Sequence, residues 1–197
     1  PPLSTEFGPY HVLVFTSIED AFFRDHFIED TGTWTYTGGI DDGSHQDFWH
    51  IESPNSFISN VGPDGCYAEG DVQPIEKTAS ADVVFPLSGG EGRMKILHRL
   101  DVESGGLYGP HDGQWMTIDG IVVAPEYGFL YFDGEGEWEH GYFVGQTDGW
   151  VISTFFLGTD FNDGETHTVI FHSLSDDTFS NCSGGWQIDY IEMWLED

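Results

Sequence analysis

Short apolar stretches with a two-residue alternation recur along the whole chain, and turns rich in Gly, Asp, Asn and Ser separate them. A period of two puts alternate side chains on opposite faces of a β-strand, whereas a helix needs a period near 3.6. The pattern predicts an all-β fold, namely a two-sheet antiparallel jelly-roll β-sandwich. The predicted strands are residues 11–15, 33–37, 47–51, 82–87, 93–102, 114–123, 128–133, 150–158, 166–174 and 186–194.

One segment, 17–30, is a helix candidate, because Ser17 or Asp20 would cap it. Its aromatic residues suit a broken loop equally well.

A chain of 197 residues is long enough for one such domain with a substantial core. We expect residues 16–197 to form that domain. Residues 1–15 differ, because a Pro-rich lead precedes the apolar HVLVF. This segment is either the first strand of the chain's own sheet or a strand exchanged with a neighbouring subunit, which predicts self-association. No apolar stretch approaches the length of a membrane span, and we see no signal peptide.

The charge of the chain limits its partners. It has 35 acidic residues against five Lys and Arg, a formal charge of -30. Nucleic acids and anionic membranes need basic patches, so both are unlikely partners. Cations, neutral glycans and basic proteins remain. Disorder is common in so acidic a chain, but 16% aromatic residues argue for a packed core.

The closing stretch GGWQIDYIEMWLED raises the question of catalysis. Laminarinase-like glycoside hydrolases carry Glu-x-Asp-x-x-Glu on one strand, and the corresponding residues here are Gln187, Asp189 and Glu192. An amide at the nucleophile position cannot attack the sugar. Nucleophile-elbow and His-Glu-x-x-His motifs are also missing. The sequence therefore predicts a protein that is not an enzyme, although an acid pair such as Glu135 and Glu137 remains an alternative.

Two cysteines, Cys66 and Cys182, give an even count that suits an oxidising, extracellular or cell-surface location. We expect them to form a disulfide, although two unrelated thiols would give the same count. Asn181-Cys182-Ser183 is a possible N-glycosylation sequon at Asn181.

The order of several landmarks resembles a group of extracellular jelly-roll sandwiches related to MAM domains, to the accessory domain of immune inhibitor A peptidases and to choice-of-anchor J domains. The similarity covers roughly residues 20–197. The chain departs from it at Tyr190, where the group usually has a second Asp, and in an aromatic insertion at 124–149. The landmarks are DHFIEDTGTW (25–34), DFWHI (47–51), LHRLDVESGG (97–106), WMTIDG (115–120), HSLSDD (172–177) and GGWQIDYIEM (184–193).

The resemblance implies a structural calcium ion that ties the opening segment to the last strand. By this resemblance Asp189 is the best ligand, with Glu29 or Asp25 and with Asp101 as partners. Ca²⁺ takes 6–8 oxygen ligands, so carboxylates from distant strands suit it in kind. The alternative is that these acids simply face water.

The segment 125–143 resembles a long aromatic hairpin in which acids alternate with rings. If its rings are exposed, they form a glycan platform or a protein interface; if buried, they are hairpin packing. The rings in question are Tyr127, Tyr131, Trp138 and Tyr142.

Together these features predict an extracellular, calcium-stabilised structural subunit that is adhesive or fibre-forming. A carbohydrate-binding module of a secreted protein is the alternative hypothesis, with glycans as partners.

Overall fold

Two antiparallel β-sheets pack against each other in the computed structural model of the protein. The structure describes residues 18–27, 31–38, 40–41, 46–47, 49–52, 57–59, 75–102, 112–127, 131–132, 141–175 and 184–197. These residues contain sixteen strands and no helix, so the predicted all-β sandwich is confirmed. In chain order the strands are β1 (Phe23–Asp25), β2 (Trp34–Gly38), β3 (Ile40–Asp41), β4 (Gln46–Asp47), β5 (His50–Glu52), β6 (Phe57–Ser59), β7 (Ile75–Val84), β8 (Glu91–Asp101), β9 (Gly113–Ile118), β10 (Ile121–Val122), β11 (Pro125–Tyr127), β12 (Tyr131–Phe132), β13 (Tyr142–Phe143), β14 (Val151–Gly158), β15 (Thr166–Ser175) and β16 (Gly185–Glu196).

The first sheet, called sheet A, has the strand order β11-β14-β8-β16-β6-β5. Two short strands pair with the same edge of the central strand β16, namely β6 near Ile188 and β1 near Glu192. The second sheet, called sheet B, has the order β12-β13-β9-β15-β7-β2, with β10 folded back onto β9. Strands β3 and β4 pair with each other apart from both sheets.

The core lies between the two sheets and is rich in aromatic rings. Trp34 of β2 and Phe171 of β15 flank β7 on either side, and their stacked rings meet with centroids 5.2 Å apart. They can meet because β7 presents the small, buried side chains of Ala79 and Ala81 between them. Alanine has a low β-propensity, so the sequence signal of β7 is weak before residue 82. The predicted strand 82–87 therefore covers only the end of β7.

A two-residue turn divides the segment 114–123, which the sequence pattern presents as one strand. Asp119 and Gly120 both have positive φ, at 51° and 78°. Such a turn joins β9 to β10 in a tight hairpin, with Ile118 paired to Ile121. Asp-Gly is the residue pair that this turn type favours, because glycine adopts positive φ without a steric penalty.

The helix candidate 17–30 does not form a helix in its described part. Residues 23–25 instead form β1, which pairs with β16 from Phe23 opposite Met193 to Asp25 opposite Ile191. Tertiary pairing with a long central strand outweighs the local helical signal.

A histidine links two turns at one end of the sandwich. His167 Nδ1 lies 2.7 Å from Asp119 Oδ2, and Nε2 lies 3.0 Å from Asp163 Oδ1. A neutral imidazole has a single N–H, so donation to both carboxylates needs a protonated ring. Burial alone would lower the pKa of His167, but the hydrogen bonds to Asp119 and Asp163 outweigh it and raise that pKa.

Within the described part of the chain, no helix is long and apolar enough to span a membrane. Residues 1–15 lie outside that part, so exchange of this strand with a neighbour stays a prediction.

Candidate functional site

Strand β8 turns its basic side chains to the outer face of sheet A. Its inward positions are buried in the core, so the alternation directs Arg93, Lys95 and Arg99 outward. Arg24 of β1 joins them from the far side of β16. The whole chain has five Lys and Arg residues, and this one face therefore holds four of them.

Glu192 of β16 binds two of these bases. Its side chain is fully buried, with Oε1 2.6 Å from Arg24 Nη2 and Oε2 2.7 Å from Lys95 Nζ. The backbone N–H of Ile18 also donates to Oε1, at 2.9 Å. Burial alone would raise the pKa of Glu192, but the hydrogen bonds from Lys95 and Arg24 hold it below its usual range. Glu192 is therefore an enclosed, ionised carboxylate.

Tyr190 neighbours Glu192 on the same face of β16. Its side chain is buried, and its ring lies 4.3 Å from the ring of His26. Burial, with help from Glu192, raises the pKa of Tyr190 to about 12. The part of the face around Tyr190 and Glu192 is thus closed, and the accessible part lies over β8, β14 and Trp194 of β16.

Three aromatic rings lie beside the bases of β8. Arg93 sits over the ring of Phe156 at 4.6 Å, and Arg99 sits over the ring of Trp150 at 5.2 Å. Lys95 Nζ lies 5.5 Å from the centroid of the Trp194 ring. These are cation–π contacts, which hold long basic side chains against the sheet and fix the orientation of the rings.

Together these groups form what we call the outer strip. Phe156 and Arg99 are exposed, and the other members are partly exposed. Arg93 and Arg99 stand six residues apart on β8, so the strip is about 20 Å long. It offers aromatic rings at both ends with aliphatic surface between them. Its members are Arg93, Arg99, Trp150, Ile152, Phe156 and Trp194.

The structure separates two of the predicted calcium ligands, Asp101 and Asp189, along β16. Both carboxylate oxygens of Asp25 accept hydrogen bonds, from Phe27 N at 2.8 Å and from Trp34 Nε1 at 3.0 Å. Asp101 pairs with Gly185, four residues from Asp189, which is about 13 Å along β16. Asp25, Asp101 and Asp189 therefore do not fit one calcium site as a set.

Asp189 occupies the bulge where the pairing of β16 with β8 shifts between Ile188 and Tyr190. Burial raises the pKa of this half-buried carboxyl. In the described ranges, no three His, Cys, Asp or Glu side chains form a group that could hold a metal ion. Glu29 lies outside the described residues, so calcium binding stays a prediction that no described cluster supports.

The other predicted site residues divide into two groups. Tyr142 is 6% exposed and belongs to the core, which favours packing for this ring. Tyr127 and Tyr131 lie in β11 and β12, which pair with β14 in sheet A and with β13 in sheet B. The side chains of Tyr127 and Tyr131 lie outside the described part, as do Trp138, Cys66, Cys182 and Asn181.

The outer strip was not predicted from the sequence, although the chain carries a signal for it. The stretch RMKILHR places three bases at positions 93, 95 and 99, all of one parity, in a chain with only five. One parity on a strand means one face. The aromatic partners were not predictable in the same way, because Trp150 and Phe156 come from β14 and Trp194 from β16.

A comparison with protein-family models and with curated proteins finds no match. Among solved structures, the xylan-binding module CBM15 is similar at 12% identity and a TM-score of 0.42, over 86% of this chain and 95% of that one. A family 35 carbohydrate binding module from Clostridium thermocellum is similar at 13% identity and a TM-score of 0.41, over 83% and 92%. The enzymatically active domain of bacteriophage CBA120 tailspike protein 4 gives 14% and 0.44, over 87% of this chain and 20% of that chain. At such identities and TM-scores, function has to be argued from this chain's own side chains.

Proposed function

We propose that the protein is a non-catalytic, secreted β-sandwich module that binds carbohydrate on the outer strip. The observation that carries the proposal is a set of three oriented rings along the outer face of sheet A, the exposed Phe156 and the partly exposed Trp150 and Trp194. Sugars present apolar C–H faces that stack on aromatic rings. A fixed ring loses little conformational entropy when a ligand covers it.

Polar groups lie between and beside these rings. The Arg99 guanidinium is exposed, and Thr154 of β14 is partly exposed at a position opposite Lys95. Guanidinium N–H groups donate hydrogen bonds, and a threonine hydroxyl both donates and accepts. Rings that stack on the sugar and polar groups that bind its hydroxyls are the combination a glycan surface needs.

The residues of the glycosidase-like motif on β16 support binding without hydrolysis. A retaining or inverting glycosidase needs two carboxyl groups that flank the scissile bond. Glu192 is fully buried between two bases and cannot reach a ligand. Gln187, which precedes it at the nucleophile position of the motif, is an amide and is 6% exposed.

Binding to polysaccharides, measured by affinity gel electrophoresis and then by calorimetry, tests the proposal. We expect Trp150→Ala with Trp194→Ala to weaken binding at least tenfold, because each ring contributes on the order of 1 kcal/mol or more of stacking. Ile121→Ala is the control, because Ile121 is an exposed apolar side chain, at 60% exposure, that lies on sheet B. An equal loss of affinity in the control, or full affinity of the double variant, would contradict binding on the outer strip.

A further inference from the structure

Three of the four basic side chains on the outer face of sheet A form ion pairs with glutamates. Arg93 lies 2.7 Å from Glu126, 2.8 Å from Glu196 and 3.7 Å from Glu91. Arg24 and Lys95 share Glu192 at 2.6 and 2.7 Å. The remaining base, Arg99, donates a hydrogen bond to the amide oxygen of Gln187. The four bases of this face and the four glutamates of its ion pairs are equal in number, so the formal charges of the two sets cancel.

The rest of the chain is strongly negative. The formal charge of the protein is -30, and these four bases and four glutamates together contribute nothing to it. At physiological salt the Debye length is about 8 Å, so a ligand on the strip still feels acids near its edges. A polyanion approaching this face gains no net positive partner and is repelled by the surrounding surface.

We infer that the outer strip selects neutral glycans and excludes those that carry carboxylate or sulfate groups. This inference rests on the proposed function and names its ligand class. Four bases in so acidic a chain could be taken as an anion site, but the four glutamates in the ion pairs of this face equal them in number. Binding then depends on ring stacking and hydrogen bonds, which salt screens little.

The test is a panel of neutral polysaccharides (a β-glucan, an unsubstituted xylan and a galactomannan) beside polygalacturonate, alginate and carboxymethylcellulose. We expect binding to the neutral polysaccharides only. Its affinity should change less than twofold between low salt and about 0.5 M NaCl. Binding confined to the anionic group, and lost in salt, would overturn this inference and leave the proposed function standing. Binding to neither group would overturn both.

A charge-altered variant gives a second readout. Glu126→Gln with Glu196→Gln removes two exposed partners of Arg93, whose side chains are 46% and 56% exposed. The outer face then carries two net positive charges, and we expect new, salt-sensitive binding to polygalacturonate. Asp82→Asn with Glu165→Gln is the matched control, because it removes two exposed negative charges away from the strip. Equal gains in both double variants would show that overall charge, rather than the neutral strip, excludes the anionic glycan.

Discussion

At the scale of single residues, Glu192 determines how the outer face of sheet A is built. Two bases from two different strands converge on this one buried carboxylate, and it joins β1 to β8 across β16. Burial of a charge without partners is costly, so the three side chains are stable only together. The ion pair with Glu192 also fixes the buried Lys95 beside Trp194, which orients one ring of the strip.

Glu192→Gln should therefore lower the free energy of unfolding by about 3–5 kcal/mol, because it leaves buried positive charge without a counter-ion. Chemical denaturation followed by tryptophan fluorescence measures the loss. Glu196→Gln is the control, since Glu196 pairs with Arg93 from an exposed position and should cost about 0–1 kcal/mol. A cost for Glu192→Gln no larger than that of the control would contradict the role of the triad.

At the scale of strands and turns, the linkage between two turns depends on the charge of His167. The ring bridges the β9–β10 turn, through Asp119, and the connection between β14 and β15, through Asp163. Its pKa is raised above the unfolded value of about 6.5. The stabilisation is then fully present below about pH 6.5 and is lost as the pH rises through the folded pKa.

The variant His167→Gln should accordingly destabilise the protein more at about pH 5.5 than at about pH 8.5. Melting temperatures of both proteins across this range measure the difference, and an NMR titration of the ring gives the pKa directly. Asp163→Asn removes one of the two carboxylates that bind His167 and should partly reduce the pH dependence of the melting temperature. A gap between wild type and His167→Gln that stays constant with pH would contradict the protonated bridge.

Strands with strong alternation were predictable from the sequence, and those that depend on tertiary contacts were not. The long strands β8, β14, β15 and β16 follow their apolar patterns closely. Most of β7 was not predicted, because Lys77, Ala79 and Ala81 make a weak strand signal. The positions of Ala79 opposite Phe171 and of Ala81 opposite Trp34 exist only in the fold. β1 was not predicted as a strand, because its pairing with β16 determines its conformation.

The candidate site was less predictable than the fold. The resemblance predicted a calcium site with Asp25, Asp101 and Asp189 among its ligands. In the structure Asp25 accepts a hydrogen bond from Trp34, and Asp101 lies apart from Asp189. The outer strip combines residues from β8, β14 and β16, and only the pairing register shows that they share a face. Alternation within one strand shows which of its side chains share a face, but it does not show which strands become neighbours in the sheet.

At the scale of the whole molecule, charge governs stability in solution. A formal charge of -30 opposes compaction by self-repulsion, and screening reduces this cost. We expect NaCl to raise the melting temperature. Calcium binding predicts a further rise at matched ionic strength, reversed by EDTA and reduced in Asp189→Asn, where burial already raises the pKa of the carboxyl. Identical melting in calcium and in NaCl of equal ionic strength would end the calcium hypothesis.

The central claim is that carbohydrate binds the outer strip of sheet A. An NMR titration with an oligosaccharide of the neutral glycan class tests it most directly, through the indole N–H signals of the tryptophans. We predict that Trp150 and Trp194 shift on binding, whereas Trp49 and Trp186, both with 0% exposure, stay in place. Binding that leaves the signals of Trp150 and Trp194 unchanged would contradict the account.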